Sequence, residues 1–253
     1  MSWLTATFRV LCLAMTTLVA ISCWWSVSAK ANRFIEAGIP ASDREWFGVD
    51  YARAAEIFAS GAVELPRLSD DLGRPLLLRM TSLDNLRWQH DASLPLATRM
   101  ADLQKAFLGV NGIMKLYIDA ENKGEHVDNE LVRLMAFLLH AVAANFELLE
   151  ELIPTVPSFN SDQARVDGLK KVHAGITTVF LGAEVSLSET SIYTADDLTV
   201  LLEAMDATLP TLKKAFSTEF KTEMRVKLRA DKARFNNVDD MQHIERMLAE
   251  LSS

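Results

Sequence analysis

Two histidines lie on apolar faces of long predicted helices, and each has a carboxylate on a similar side of its helix. His140 is followed seven residues later by Glu147, and His173 is followed eleven residues later by Glu184. An imidazole beside a carboxylate can bind a metal ion or transfer a proton. A core histidine that makes one hydrogen bond is the commoner arrangement. We therefore assign no catalytic, cofactor-binding or metal-binding residue and keep these four as a hypothetical polar core.

A further histidine belongs to a pair of the kind that bundle metalloproteins use. Asp240 and His243 are three residues apart on a predicted helix. Bundle di-metal sites need two such pairs and two further glutamates, and the sequence offers one pair, with aspartate in place of glutamate. It also has no Gly-x-Ser-x-Gly turn, glycine-rich phosphate loop or His-Glu-x-x-His helix. We expect no di-iron site, and an enzyme is the least favoured class of function.

Three glycines recur at seven-residue intervals on the predicted helix that carries His173. Gly168, Gly175 and Gly182 fall on one side of it. Each helical glycine costs about 1 kcal/mol relative to alanine, so three in a row on one side indicate a close approach to the helix backbone. Packing of a neighbouring helix of the same protein is the favoured interpretation. A cleft for a ligand or a partner helix is the functional alternative, and a chance spacing is the third interpretation.

A basic stripe is predicted near the carboxyl end. The segment 211–235 holds eight basic and three acidic residues, and four of the basic ones fall within a narrow arc of one helix, with a fifth close by. Such a stripe can meet lipid headgroups or an acidic partner. We favour a solvated face that pairs with the protein's own carboxylates, because exposed pairs contribute only about 0–1 kcal/mol each. The stripe comprises Lys214, Lys221, Arg225, Arg229 and Lys232.

The first 31 residues have the layout of an export signal. Residues 10–29 carry no charged side chain, and Arg9 precedes them. A basic start, an apolar core and small residues at the end are typical of a secretory signal peptide, here with cleavage after Ala29 or Ala31. We therefore predict that the rest of the chain is exported to the periplasm.

Two other fates of this segment stay open. Its uncharged stretch of 20 residues also has the length of a membrane-spanning helix. Residues 10–29 would then contact the membrane and anchor the domain to the inner membrane, outside the cytosol. Ile21-Ser22-Cys23 fits a lipobox, so lipid attachment at Cys23 is the third fate. A buried apolar helix of the fold is less favoured than any export route.

The composition of residues 32–253 excludes several kinds of site. Both cysteines, Cys12 and Cys23, precede this part of the chain, which excludes disulfides, thiol nucleophiles and thiolate metal sites from it. It holds 34 acidic and 24 basic residues, a formal charge of −10. Nucleic-acid binding depends on neutralising phosphates, so we expect no nucleic acid and instead a protein partner, steered by the acidic surface if that partner is basic.

Helical periodicity dominates the elements that must position these residues. An apolar seam at steps of three and four runs from Leu96 to Tyr117. The segment 129–153, which holds His140, is apolar on nearly all sides and predicts a buried central helix. Thr194 and Asn237 are predicted to cap two later helices. The pattern predicts an all-α fold, an antiparallel bundle of six or seven helices with short connections.

The region before the bundle has a weaker pattern. Ser42 with Glu45 predicts a helix that starts at Asp43. Turn residues between two short apolar runs predict a small β-hairpin near residues 64–80, although two prolines weaken this prediction. We divide the chain into a signal peptide or membrane anchor (1–31), an N-terminal helix and hairpin region (32–93) and a helical bundle (94–253).

Three classes of function fit these features. The leading hypothesis is a non-enzymatic helical domain of the bacterial envelope that binds a protein partner, in an immunity-type or scaffold role. A small-molecule or lipid binder with a cleft between helices near the glycines is the first alternative. An enzyme or metal site built from histidine and carboxylate is the second. The candidate aromatic anchors for a partner are Trp46, Tyr51, Trp88 and Tyr117.

Overall fold

The computed structural model describes residues 34–40, 44–157, 159–188 and 193–252. The predicted export segment lies outside these residues. Within them the only regular secondary structure is helical, with no strand. A helical turn at 34–36 comes first. The α-helices that follow are α1 (Gly48–Ala59), α2 (Gly73–Met80), α3 (Leu96–Glu121), α4 (Asp128–Leu152), α5 (Gln163–Ser188), α6 (Ala195–Leu212), α7 (Thr218–Lys232) and α8 (Val238–Glu250). Short 3₁₀ segments cover Leu83–His90, Ile153–Thr155, Phe159–Ser161 and Lys213–Ala215.

Helix α4 is the centre of the core, which confirms the prediction for 129–153. It packs against α3, α5, α6 and the 3₁₀ segment Leu83–His90. Leu134, Leu139 and Ala141 are almost fully buried on it. The stretch Asp128–Thr155 is long and apolar enough to cross a membrane, but 67% of its most apolar window is buried within the protein. This burial is what a core helix with apolar residues on all sides requires.

The other helices surround α4 in two groups. On one side, α1 packs on α3 at a close approach: a Cβ added at Gly109 would lie 2.5 Å from the carbonyl carbon of Tyr51. On the other side, α6 packs on α4 and α8 packs on α6, while α7 contacts α5 and α8. The all-α prediction is confirmed. The antiparallel arrangement of the bundle stays a prediction.

The predicted hairpin near residues 64–80 is wrong. Residues 73–80 form α2 instead, which gives eight α-helices in the described part of the chain where six or seven were predicted. Pro75 lies in the first turn of α2, where its missing N–H group costs no hydrogen bond. Leu76, Leu77 and Met80 then share one buried face with helical spacing. Short apolar runs fit a strand and a helix equally well. The two prolines were the residues that argued against strands here.

The predicted start of the first long helix is also wrong. Helix α1 begins at Gly48, not at Asp43. The Asp50 carboxylate accepts the Phe47 backbone N–H at 2.9 Å and holds Arg44 in an ion pair at 2.6 Å. Phe47 is therefore the N-cap residue, and its backbone N–H is satisfied by Asp50, the third residue of the helix. The predicted caps at Thr194 and Asn237 are confirmed, since each hydroxyl or amide oxygen accepts a backbone N–H two or three residues later.

Candidate functional site

An apolar groove lies between α3, α4 and α5, with a volume of about 450 Å³. The groove is open because only one half of α5 is buried against the rest of the protein. All the buried residues of α5 belong to its second half, from Ile176 onward, whereas the first half is largely exposed. We call this cavity the Gly175 groove. It is lined by Phe107, Asn111, Val142, Asn145, Phe146, Val172, Gly175, Ile176, Thr178 and Val179.

The glycine stripe faces open space where a packed helix was expected. A Cβ added at Gly168 or Gly175 would meet no described atom within 4 Å, and one at Gly182 would make an ordinary contact with the Met135 methyl group at 3.6 Å. The close approach of a neighbouring helix, our favoured interpretation, is therefore absent among the described residues. Gly175 lies in the wall of the groove, so a cleft and a chance spacing are the interpretations that the geometry leaves.

The rim of the Gly175 groove is polar and locally basic. The amides of Asn111 and Asn145 and the hydroxyl of Thr178 border its apolar lining. Lys171 directly precedes Val172, and Lys115 is one turn beyond Asn111; both lysines are exposed, and neither makes an ion pair with a described residue. An occupant of the groove would meet apolar side chains at its centre and cations near its edge.

A second cavity places His140 and Glu147 together, as the spacing on one helix predicts. It has a volume of about 260 Å³ and lies between α4, α6 and the 3₁₀ segment Leu83–His90. We call it the His140 cleft. Arg87, Gln89, His90, Thr208 and Thr211 supply the other polar groups of its lining. The Thr211 hydroxyl donates to Glu147 Oε1 at 3.0 Å.

The His140 imidazole is half-buried in this cleft and makes no hydrogen bond with any described residue. Burial lowers its pKa, because the charged form loses hydration, so the ring is neutral at pH 7 and carries one donor and one acceptor. Among the described residues no group of three or more His, Cys, Asp or Glu is arranged to hold a metal ion. The chemistry that this arrangement supports is hydrogen bonding to a polar molecule.

His173 and Glu184 do not form a site. The His173 ring packs edge-on against Phe146 with 5.6 Å between ring centroids. Glu184 is buried on the far half of α5 and binds Lys227 Nζ at 3.0 Å. Eleven helical residues separate the two side chains by about 16 Å along the axis, so their similar angular position does not bring them together.

Glu184 instead meets Asp231, a buried carboxyl group of α7 that sequence reasoning missed. Burial and then the Glu184 charge raise the pKa of Asp231 to about 6, while Arg234 and Lys227 lower it to a smaller extent. Arg234 Nη1 lies 3.4 Å from Asp231 Oδ1. The sequence signal was its spacing: Asp231 continues the apolar row of α7, three residues beyond Leu228.

The basic stripe is divided by its own ion pairs. Lys214 binds Glu150 at 2.7 Å and Lys232 binds Glu245 at 2.5 Å, so the two ends of the stripe pair with other elements of the protein. Lys221, Arg225 and Arg229 make no ion pair with the rest of the described chain. Lys221 and Arg225 are partly exposed and Arg229 is exposed, and none of the three lines the Gly175 groove or the His140 cleft.

The remaining candidate residues are buried or make hydrogen bonds within the fold. Asp240 is buried and accepts the Thr199 hydroxyl at 2.8 Å, while His243 Nδ1 pairs with Asp206 at 2.8 Å, so these two do not share a ligand. The four candidate anchors are all buried, three of them almost completely, and none is available at the surface. They are Trp46, Tyr51, Trp88 and Tyr117.

Comparisons of the chain with protein-family models, with curated proteins and with solved structures found no match, so its function has to be inferred from its own residues.

Proposed function

We propose that this protein is a non-enzymatic binding protein of the cell envelope and that its Gly175 groove receives an amphipathic helix of a partner protein. The observation that carries the proposal is the open stripe on α5. A Cβ added at Gly168 or Gly175 would meet no described atom within 4 Å, and Gly175 lines the apolar groove. Glycine lets a second helix approach the backbone closely, and the groove lining would be buried by its apolar face.

The shape of the stripe supports an elongated occupant. Gly168 and Gly175, the two open positions, are seven residues apart on one helix, a distance of about 10 Å along the axis. A partner helix of two turns that lies along α5 would span this distance. The groove itself extends only from Val172 to Val179 on α5, so a compact ligand would leave Gly168 uncovered.

Local charge supports a partner helix with acidic residues at its polar edge. Lys115 and Lys171 are unpaired cations beside the groove, although residues 32–253 as a whole are acidic and suggest a basic partner. Physiological salt largely screens interactions between exposed charges that are more than about 8 Å apart, so the lysines near the rim affect a docked helix more than the net charge of residues 32–253 does.

Photocrosslinking from inside the groove tests this proposal. We would place a photoactivatable amino acid at Val172 of the full-length chain, in cells that normally produce it. We expect a covalent adduct with one protein, through a segment whose apolar residues recur with helical spacing. The same amino acid at Val226, which is 61% exposed on α7, is the control. An adduct with a second copy of this chain, or one no stronger than at Val226, would contradict the proposal.

A small apolar molecule or a lipid chain is the second candidate for the same groove. Its volume of about 450 Å³ lies within the range of ligand pockets, about 300–1,000 Å³, and its lining is mostly apolar with a few amide and hydroxyl groups. A low-mass apolar adduct at Val172 would support this candidate and contradict a helical partner.

A further inference from the structure

The His140 cleft has charged groups at its mouth and neutral polar groups at its floor. Arg87, His90 and Glu147 are exposed at the mouth, whereas Gln89 and Thr208 are buried. The 3₁₀ segment Leu83–His90 packs on α3 and α4, and residues of this segment, α4 and α6 line the cleft, so three separate elements supply its polar groups.

The floor holds an acceptor without a donor. Gln89 is 7% exposed, and its Oε1 is buried with no hydrogen-bond partner in the described chain. Its Nε2 lies 3.0 Å from His90 Nε2, and its backbone carbonyl accepts Arg99 Nη1 at 2.7 Å. Protein folds rarely leave a buried amide oxygen unpaired, so this atom points to a donor that comes from outside the chain. The unpartnered His140 ring lines the same space.

The mouth carries both signs of charge. Arg87 binds Asp84 at 2.7 Å, but both side chains are largely exposed, at 75% and 44%, and such a pair is easily exchanged for another partner. Glu147 accepts one hydroxyl, that of Thr211, and a carboxylate has room for further donors. A ligand of one sign would be attracted by one of these groups and repelled by the other, whereas a zwitterion satisfies both.

We propose that the His140 cleft binds a small zwitterion of the free amino acid class. Its carboxylate accepts hydrogen bonds from the Arg87 guanidinium, and its ammonium donates to the Glu147 carboxylate and to Gln89 Oε1. A volume of about 260 Å³ accommodates a molecule of this size. This site is separate from the Gly175 groove, since no residue lines both, and it does not depend on a helical partner.

Titration of the full-length chain with L-alanine tests the proposal by NMR of its isotope-labelled histidine rings. We expect saturable shifts for His90 and His140, with an affinity in the millimolar range that suits a shallow site with few contacts. His126 and His243 lie outside the cleft and should not respond. Propionate and ethylamine, which each keep one charge of alanine, should bind about tenfold more weakly or worse. Equal binding of either analogue or of glycerol, or no shift with alanine up to about 50 mM, would overturn the proposal.

A matched pair of variants tests whether the ammonium group of alanine binds Glu147. Glu147→Gln removes the carboxylate from an exposed position of the cleft and should weaken alanine binding about tenfold. Glu150→Gln, three residues further along α4, removes a carboxylate that binds Lys214 outside the cleft and should leave binding unchanged. Wild-type affinity in Glu147→Gln would overturn the assignment, as would equal weakening in both variants.

Discussion

Asn85 joins three elements of the N-terminal part through one buried amide. It is 1% exposed; its Oδ1 accepts the Trp46 backbone N–H at 2.9 Å, and its Nδ2 donates to the Tyr51 hydroxyl at 2.8 Å and to the Arg79 carbonyl at 2.7 Å. Without the amide, the buried Trp46 backbone N–H would have no partner. The Tyr51 hydroxyl would keep its bond to the Met80 carbonyl at 2.6 Å, and the Arg79 carbonyl would keep the Ser82 N–H at 3.2 Å.

We predict that Asn85→Ala lowers the free energy of unfolding by about 3 kcal/mol, because the buried Trp46 backbone N–H then stays unpaired and two further hydrogen bonds are lost. Urea denaturation of the full-length chain measures this change. Asn236→Ala, at an exposed position, serves as the control and should change stability by no more than about 0.5 kcal/mol. Similar effects of the two substitutions would show that the Asn85 network contributes little.

The raised pKa of Asp231 makes the stability of the fold depend on pH, and the direction of the shift defines the sign of this dependence. Its pKa in the folded protein is about 6, above the ordinary value of 3.8, so the folded state binds the proton more tightly than the unfolded state. The resulting stabilisation is complete below about pH 4 and is lost as the pH rises through about 6. Glu184, Lys227 and Arg234 are the charged groups that face it.

We predict that Asp231→Asn removes about 2 kcal/mol from the difference in unfolding free energy between about pH 4 and pH 7. The comparison uses urea denaturation of wild type and variant at both pH values, so that titration of the other groups cancels. Asp119→Asn, at an exposed position of α3, is the control and should keep the wild-type difference. An unchanged difference in Asp231→Asn would refute a raised pKa.

At the scale of elements, two glycine positions that look alike in sequence have opposite roles. Gly109 lies where α1 crosses α3, and an added Cβ would come within 2.7 Å of the Ala52 nitrogen. Gly168 lies on the exposed half of α5, with no described atom within 4 Å of an added Cβ. The first glycine is required by packing inside the fold, whereas the second is unexplained by the fold alone.

We predict that Gly109→Ala destabilises the protein by about 2 kcal/mol, because a backbone contact must open. Gly168→Ala should stabilise it by about 0.5–1 kcal/mol, because alanine is the better helix former and has free space. Thermal unfolding of both full-length variants checks the two signs. Destabilisation by Gly168→Ala would mean that α5 packs against something within the same molecule.

The sequence predicted helices well where the apolar pattern was long. The core helix α4 and the caps at Thr194 and Asn237 follow from local rules about burial and capping. Helix α2 was mistaken for a hairpin because eight residues hold too few turns to reveal a period. Position along one helix also brought His140 and Glu147 to the lining of the same cleft, about 10 Å apart along the axis.

Contacts between helices were beyond sequence reasoning. The partnership of Glu184 with Lys227 and Asp231 depends on how α5 crosses α7, which no local pattern records. The same holds for Gln89, whose unpaired oxygen becomes visible only when the 3₁₀ segment is placed against α3 and α4. A glycine stripe indicates a close approach, but not whether the approaching helix belongs to the same chain.

At the scale of the whole molecule, export determines which partners the groove can meet. We predict that residues 1–31 carry the chain out of the cytosol, because their uncharged core follows a basic residue and ends in small side chains. A reporter that is active only outside the cytosol, fused to the carboxyl end, should be active in cells. Deletion of 1–31 should abolish its activity. An active cytosolic reporter in a soluble fraction would contradict export.

The measurement that tests the binding function most directly is the yield of the Val172 adduct in two variants of α5. Gly175→Leu fills the groove, whereas Ala174→Leu adds the same side chain at an exposed neighbour that does not line it. We predict that the yield falls about tenfold or more in Gly175→Leu, because the partner helix can no longer approach the backbone, and keeps its wild-type value in Ala174→Leu. An undiminished yield in Gly175→Leu, or an equal loss in both variants, would contradict a binding site in the groove.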